Sequence, residues 1–181
     1  MYNNLRRFLA FVFALIVLYT GCKAEKLAYW AVILIVAGEA LRIWAAGYIR
    51  KNSALSIVGP YKYVRNPLYI GSLLIGIGFG FFVNNMIVLA AIVIAFLWIY
   101  TLKINSEEKK LTEIFGSKYL EYKQNTGRWL PFKKFRMKIA PLEPMAANFD
   151  IKLAILKNKE YNAVIGSIFM VFVIILVKTI C

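Results

Sequence analysis

The sequence contains no histidine and only two cysteines, Cys22 and Cys181, among its 181 residues. Without histidine no imidazole can act as a general base, and a zinc site built from cysteine and histidine is excluded. The two cysteines could form a disulfide, although isolated cysteines such as these more often serve packing. We therefore expect no metal site, and any acid–base chemistry must use other side chains.

Acidic residues are also scarce, since nine Asp and Glu stand against 23 Lys and Arg and the net charge is +14. In a soluble protein this excess would suggest nucleic acid binding. Here 61% of the residues are hydrophobic and the mean hydropathy is +0.64, above the range of soluble domains. A core of this size cannot bury so much apolar surface, so lipid must solvate part of it. The sequence predicts an integral membrane protein that binds membrane lipids and no nucleic acid.

Five apolar runs predict an all-α integral membrane protein with about five transmembrane helices in a single polytopic domain, residues 1–181. The runs lie at about residues 5–19, 27–48, 68–83, 86–104 and 161–177. Asn84 and Asn85 separate the third run from the fourth, and these two runs are expected to form a helical hairpin. Small residues at Gly76, Gly78 and Gly80 favour close helix packing over a nucleotide-binding loop.

The basic residues are distributed unevenly between the segments that join the runs. With a cytoplasmic N-terminus, nineteen of them lie on the cytoplasmic side and three, Lys23, Lys26 and Lys178, on the far side. The positive-inside rule then places residues 48–67 and 105–160 in the cytoplasm and the C-terminus on the far side. We expect a multi-pass protein of a prokaryotic inner membrane or the endoplasmic reticulum.

The longer polar segment begins with an amphipathic pattern over residues 107–124. Ser106 is a candidate N-cap for this helix, and Gly116 is expected to break it. Glu107 and Glu108 in its first turn could hold a cationic group or ribose hydroxyls, or could simply supply favourable helix charge. Residues 132–150 are rich in proline and predict an irregular connector.

The densest motif is G-P-Y-K-Y-V-R-N-P-L-Y-I-G at residues 59–71. Pro67 suits the first position of a helix, so Arg65, Asn66 and Tyr69 would lie at a helix N-terminus on the membrane surface. Such a terminus favours a carboxylate or phosphate ligand. The alternative is an interfacial belt of Tyr and Arg that anchors the third helix.

Two charged residues also lie within the second apolar run. Glu39 and Arg42 are three positions apart and hence on one helix face. Charges inside the membrane are functional candidates by default, although Arg42 could also reach the interface and pair with Glu39.

Residues 59–71 resemble the G-x-Y-x-x-x-R-H-P-x-Y-x-G signature of the isoprenylcysteine carboxyl methyltransferase family, whose broader group includes phospholipid methyltransferases. Residues 107–132 resemble its C-terminal signature through Glu107, Glu108, Leu111, Phe115, Gly116, Tyr119, Tyr122, Leu130, Pro131 and Phe132. The resemblance, to a prokaryotic-type member, covers a catalytic core at about residues 41–132. A connector and an extra apolar helix, residues 133–181, lie outside it. The family's histidine before Pro67 is Asn66 here, so no role that needs a basic imidazole can survive.

The resemblance implies a membrane enzyme that takes a methyl group from S-adenosyl-L-methionine, bound in cytoplasmic segments. The acceptor would be a lipid or a prenylated small molecule from the bilayer. The implied cofactor-binding residues are Tyr63, Arg65, Asn66, Pro67, Tyr69, Glu107 and Glu108. The implied catalytic residues, which would orient the acceptor, are Arg42, Lys103 and Arg128.

The chemistry of the acceptor stays open at this point. A carboxylate arrives deprotonated and needs no base, so the absence of histidine favours carboxylate O-methylation over N-methylation of a lipid amine. Two alternatives to a methyltransferase remain. One is an NADPH-dependent membrane reductase of the sterol-reductase type, and the other is a non-catalytic lipid-binding relative, to which Asn66 gives weight.

Overall fold

A computed structural model describes residues 2–50, 53–131 and 148–181. Within these ranges the chain forms helices and no strand, as the predicted all-α membrane class requires. The α-helices are α1 (Tyr2–Lys23), α2 (Val32–Ala46), α3 (Pro67–Phe82), α4 (Met86–Phe115), α5 (Ser117–Asn125) and α6 (Tyr161–Ile180). Two 3-10 helices, Tyr29–Ala31 and Gly59–Lys62, and a π-helical turn, Leu153–Lys157, complete the described elements.

Three of the described helices are long and apolar enough to cross a membrane: Tyr29–Ala46, which includes α2, and the helices α4 and α6. Shorter apolar helices are Phe11–Lys23, within α1, and α3. These five helices coincide with the five predicted apolar runs. The number of spans and their sidedness stay predictions.

The chain divides by its contacts into two compact units. The first comprises Met1–Glu39, Ser72–Tyr100 and Asn162–Cys181. Its core contains Val17, Phe82 and Ile174, which are fully buried. The predicted boundaries of a single domain with a core at residues 41–132 stay a prediction.

The predicted helical hairpin is present in this first unit. The α3 helix ends at Phe82 and α4 begins at Met86. Between them, Asn84 adopts a positive φ of 50°. The side-chain oxygen of Asn85 accepts hydrogen bonds from two backbone N–H groups in the first turn of α4, each at 3.0 Å. The two asparagines therefore make the turn and cap the following helix.

Glycines allow α3 and α4 to pack closely. A Cβ atom at Gly76 would lie 2.9 Å from the side chain of Ile92, and one at Gly80 would lie 2.9 Å from that of Leu89. At Gly80 the backbone Cα atom of Leu89 would also lie only 3.0 Å from the added Cβ, so a larger residue there would strain the close approach of the two helices. The packing interpretation of these glycines is confirmed.

Cys22 and Cys181 form a disulfide with a Cα–Cα distance of 5.6 Å. Of the two interpretations that the sequence left open, the disulfide is the one present, and the favoured one, packing, was wrong. The reason is that the C-terminal ends of α1 and α6 meet, as Gly21 against Ile174 also indicates. A sequence separation of 159 gave no sign of that proximity.

The second unit comprises Ala40–Gly71 and Thr101–Tyr161, and the site described below lies in it. Its core contains Leu55, Ile57, Tyr119 and Tyr122.

The α4 helix continues through Ser106, so the predicted N-cap there was wrong. No glycine or proline interrupts Met86–Phe115, and extending a helix is easier than starting a new one. Gly116, with a φ of +53°, does end α4 as predicted. Most of the predicted connector at residues 132–150 lies outside the described residues.

Candidate functional site

The N-terminus of α3 is held against residues that follow α5. Val64 and Gly127 form an isolated parallel bridge, in which the backbone N–H of Arg65 donates to the carbonyl of Gly127 at 2.9 Å. Pro67 is the first residue of α3, as predicted, and its side chain is fully buried. The backbone on both sides of Asn66 is therefore fixed.

Arg65 uses its whole guanidinium group. Its Nε and Nη2 donate to Oε1 of Glu108 at 3.2 and 3.1 Å. Its Nη1 donates to the backbone carbonyls of Lys123 and Thr126. The Arg65 side chain is only 10% exposed. It thus connects the first predicted motif, α4 and the end of α5.

Glu108 is buried among cations. Besides Arg65, Lys123 Nζ and Arg128 Nη2 each lie 3.1 Å from its Oε2. The side chains of Lys123 and Arg128 are 43% and 30% exposed, whereas that of Glu108 is 5% exposed. Three cations share one carboxylate, so the cluster has an excess of positive charge that a bound anion would balance.

Glu107 forms a second group of contacts beside this cluster. The Tyr69 hydroxyl lies 2.8 Å from both carboxylate oxygens of Glu107, to which it donates. Lys103, one helical turn earlier, pairs with the same carboxylate at 3.3 Å. The Glu107 side chain is 46% exposed and remains open to a polar ligand. Lys103, which is predicted to orient the acceptor, thus lies beside Glu107 and Tyr69, which are both predicted to bind the cofactor.

Asn66 and Tyr63 complete the predicted cofactor residues. The side-chain amide of Asn66 donates to the backbone carbonyl of Arg128 at 3.3 Å. Residues 59–66 of the first motif, which we call the motif loop, are thereby joined through Asn66 to Arg128, which also pairs with Glu108. The Tyr63 side chain is exposed, at 57%.

Arg42 is bound to a residue that the sequence did not implicate. Its Nε and Nη2 donate to Oε2 of Glu160 at 3.1 and 2.7 Å, and Glu160 is buried. In the other unit, the neighbouring Glu39 accepts a hydrogen bond from Ser167 at 2.7 Å. Partners more than 100 positions away carry these bonds, so spacing within α2 could not predict them.

Three buried tyrosines surround the base of the motif loop. Tyr122 of α5 donates its hydroxyl to the backbone carbonyl of Tyr61 at 2.8 Å. Burial raises the pKa of Tyr61, Tyr119 and Tyr122 above the ordinary value, and nearby tyrosine and carboxylate groups raise it further. These hydroxyls therefore stay protonated at physiological pH and can donate hydrogen bonds, but cannot act as bases.

Sequence reasoning missed Lys123, Thr126 and Glu160. Lys123 follows Tyr122 in the C-terminal signature, and its place on the same short helix is the signal that could have revealed it. Thr126 is 1% exposed, and its Oγ1 has no hydrogen-bond partner among the described residues. No sequence pattern pointed to Glu160.

Comparison with known proteins agrees with these two motifs. The profile of the phospholipid methyltransferase family matches residues 18–118, more than half of the chain. The chain belongs to this family. The matched range includes the first motif together with Glu107 and Glu108, so the family resemblance predicted from the two motifs is confirmed.

The individual proteins to which the chain is similar fall into two groups. The chain is 27% identical to protein-S-isoprenylcysteine O-methyltransferase A of Arabidopsis thaliana over 130 residues, covering 65% of this chain and 66% of that protein. It is 32% identical to the Xenopus laevis protein-S-isoprenylcysteine O-methyltransferase over 114 residues, covering 56% and 40%.

The second group has names that refer to metal resistance. The chain is 36% identical to the cobalt-zinc-cadmium resistance protein CzcN of Cupriavidus metallidurans over 92 residues. This match covers 50% of the chain, which spans only 42% of the relative. In the part of the chain that the structure describes, no group of three metal-ligating side chains could hold a metal ion.

Proposed function

We propose that this protein transfers the methyl group of S-adenosyl-L-methionine to a lipid-like acceptor, with carboxylate O-methylation favoured. One observation carries the proposal. Arg65 of the first motif and Glu108 of the second are 43 positions apart, yet they bond within one positively charged cluster. In a phospholipid methyltransferase family member, such a cluster suits the charged end of this cofactor.

The residues present fit the polar groups of the cofactor. Lys123 is cationic and partly exposed, so it can bind the cofactor carboxylate. Glu107 has exposed oxygens that can accept hydrogen bonds from ribose hydroxyls or an amino group. The exposed ring of Tyr63 is suited to contact a cation or an adenine. When bound, the cofactor supplies an electrophilic methyl group on a sulfonium.

The chain itself has to orient the acceptor and exclude water. Displacement at a sulfonium is accelerated mainly by alignment of the reacting atoms, and a carboxylate needs no deprotonation. The absence of histidine supports a carboxylate acceptor, because such an acceptor arrives deprotonated and needs no imidazole base. Lys103 and Arg128 are our candidates for orienting that acceptor. The acceptor role of Arg42 requires that it leave or share Glu160.

The test is transfer of a labelled methyl group from S-adenosyl-L-methionine in membranes that contain the protein. Three acceptors are compared: a prenylated cysteine with a free carboxylate, phosphatidylethanolamine and a total lipid extract. We expect label in the prenylated cysteine arm. Glu107→Gln should lower the rate at least about tenfold because it removes an ionic acceptor from the site.

Glu113→Gln is the matched control, because Glu113 lies on the exposed surface of the same helix. It should keep the wild-type rate. Label only in phosphatidylethanolamine would change the acceptor to an amine. No label above control membranes in any arm, from a folded protein, would favour a non-catalytic relative.

A further inference from the structure

A segment after the connector packs against the residues that lead into the first motif. Residues 148–160, which we call the strap, lie outside the family match at residues 18–118. They also lie outside the region in which the two signatures occur. The contacts of the strap nevertheless belong to the same unit as the candidate site.

The strap satisfies carbonyl groups at the end of α2. The side-chain amide of Asn158 donates to the carbonyls of Ala46 and Ile49 at 2.8 and 3.2 Å. The backbone N–H of Asp150 donates to the carbonyl of Gly47 at 3.1 Å. The last carbonyls of a helix have no partner within it, so these bonds replace a local cap. The strap thereby fixes where the chain leaves α2.

An aromatic contact extends this hold to the first motif. The rings of Phe149 and Tyr48 lie 5.8 Å apart between centroids. The Tyr48 ring in turn occupies the space that a Cβ atom at Gly59 would need. Gly59 has a φ of +58°, a conformation that glycine adopts readily. Phe149, Tyr48 and Gly59 thus form one continuous packed row.

From Gly59 the row leads directly into the site. The 3-10 helix Gly59–Lys62 follows, and the carbonyl of Tyr61 within it accepts the Tyr122 hydroxyl. Arg65 lies only three residues after the end of this helix. The loop is therefore held by the strap at its beginning and by α5 in its middle.

Glu160 adds an ionic contact at the end of the strap. Its carboxylate is buried and accepts both donors from Arg42. A buried carboxylate is costly unless it is paired, so this bond ties the strap to α2. Glu160 is also near enough to Tyr61 to contribute, after burial and Tyr122, to the raised pKa of that phenol.

The π-helical turn Leu153–Lys157 precedes the two contact residues of the strap, Asn158 and Glu160. The N–H of Asn158 bonds to the carbonyl of Leu153, five residues earlier, at 2.9 Å. Lys159 then adopts a positive φ of 58°, which ends the turn before Glu160. Single π-turns are often found at functional positions.

We propose that the strap positions the motif loop for cofactor binding, with Asn158 and Glu160 as its positioning residues. Neither residue needs to touch the cofactor. The link to cofactor binding rests on the proposed function, whereas the hold on the loop does not. The two are therefore measured separately.

Hydrogen exchange of the purified full-length protein tests the hold on the loop. Asn158→Ala and Glu160→Gln should each speed amide exchange across residues 57–65 about tenfold, because local opening becomes easier. Exchange in α3 beyond its first turn should stay as in the wild type. Lys157→Gln, an exposed neighbour in the strap, is the control and should change nothing. If Asn158→Ala or Glu160→Gln fails to fold, Asn158→Gln or Glu160→Asp takes its place.

Calorimetry with S-adenosylhomocysteine tests the consequence for the cofactor. Asn158→Ala and Glu160→Gln should raise Kd about tenfold when each variant is titrated well below its own thermal midpoint. The exchanged pair Arg42→Glu with Glu160→Arg should recover part of the loss. Wild-type exchange rates at residues 57–65 in folded strap variants would overturn the proposal. So would faster exchange with unaltered Kd. Absence of binding by the wild type would instead overturn the proposed function, while the exchange result would still decide the hold on the loop.

Discussion

Glu108 is the residue on which the candidate site depends. A buried carboxylate with a single partner would do little for stability, since desolvation offsets the attraction. Glu108 instead holds three cations from different segments, and one of them, Arg65, also binds two backbone carbonyls. Removing Arg65 would therefore take hydrogen bonds from Glu108 and from the carbonyls of Lys123 and Thr126 at once.

Arg65→Lys tests whether the geometry of this cation matters as well as its charge. A lysine ammonium cannot span Glu108 and the carbonyls of Lys123 and Thr126 together. We expect the free energy of unfolding to fall by about 2 kcal/mol, measured by thermal unfolding in detergent. Lys109→Arg, on the exposed surface of α4, is the control. An unchanged midpoint in Arg65→Lys would mean that charge alone holds the cluster.

The elements show what sequence patterns could and could not predict. Apolar runs predicted the helices because the length and apolar character of a segment decide whether it can cross a bilayer as a helix. Pro67 and Gly116 predicted helix ends because their backbone preferences are local. The Ser106 N-cap failed because a cap is needed only where a helix begins, and α4 was already formed. The hydrogen bonds between the strap and the end of α2 join residues more than 100 positions apart, and the periodic pattern of apolar residues cannot predict such contacts.

The packing of α5 against the motif loop predicts a pH dependence of stability. The raised pKa of Tyr122 means that the folded protein keeps its proton where the unfolded chain, with a pKa of about 10, loses it. The stabilising contribution is full below about pH 10 and declines as the pH rises toward the folded pKa. Thermal midpoints of the wild type should therefore fall above about pH 10. Tyr122→Phe should be less stable at neutral pH and fall less steeply; parallel curves would contradict this.

At the scale of the whole molecule, the disulfide bears on orientation. Disulfides persist in oxidising compartments, and Cys22 and Cys181 both lie at ends that the charge distribution predicts on the far side of the membrane. The predicted sidedness, in which the polar segments with both motifs face the cytoplasm, would place this bond on the far side of the membrane; it stays a prediction. Two motifs carry most of the candidate residues, and their roles stay predictions. The partner Glu160 was not predictable, because only the fold brings it to Arg42, whereas Lys123 lies within the second motif.

Cys181→Ala tests the structural role of the disulfide. Loss of the bond should lower the free energy of unfolding by about 2–4 kcal/mol, measured as a lower thermal midpoint. Cys22→Ala and the double variant should give the same loss, because either change removes the whole bond. A thiol reagent should label the wild type only after reduction. Labelling without reduction, or additive losses in the double variant, would contradict the bond.

The proposed function requires that the cluster around Glu107 and Glu108 bind S-adenosyl-L-methionine. The most direct measurement is calorimetric titration of the detergent-purified protein with S-adenosylhomocysteine, with NADPH as a parallel ligand. We predict micromolar binding of S-adenosylhomocysteine alone, with Kd raised at least about tenfold in Glu107→Gln and unchanged in Glu113→Gln. Binding of NADPH alone, or of neither ligand by the folded protein, would contradict the claim.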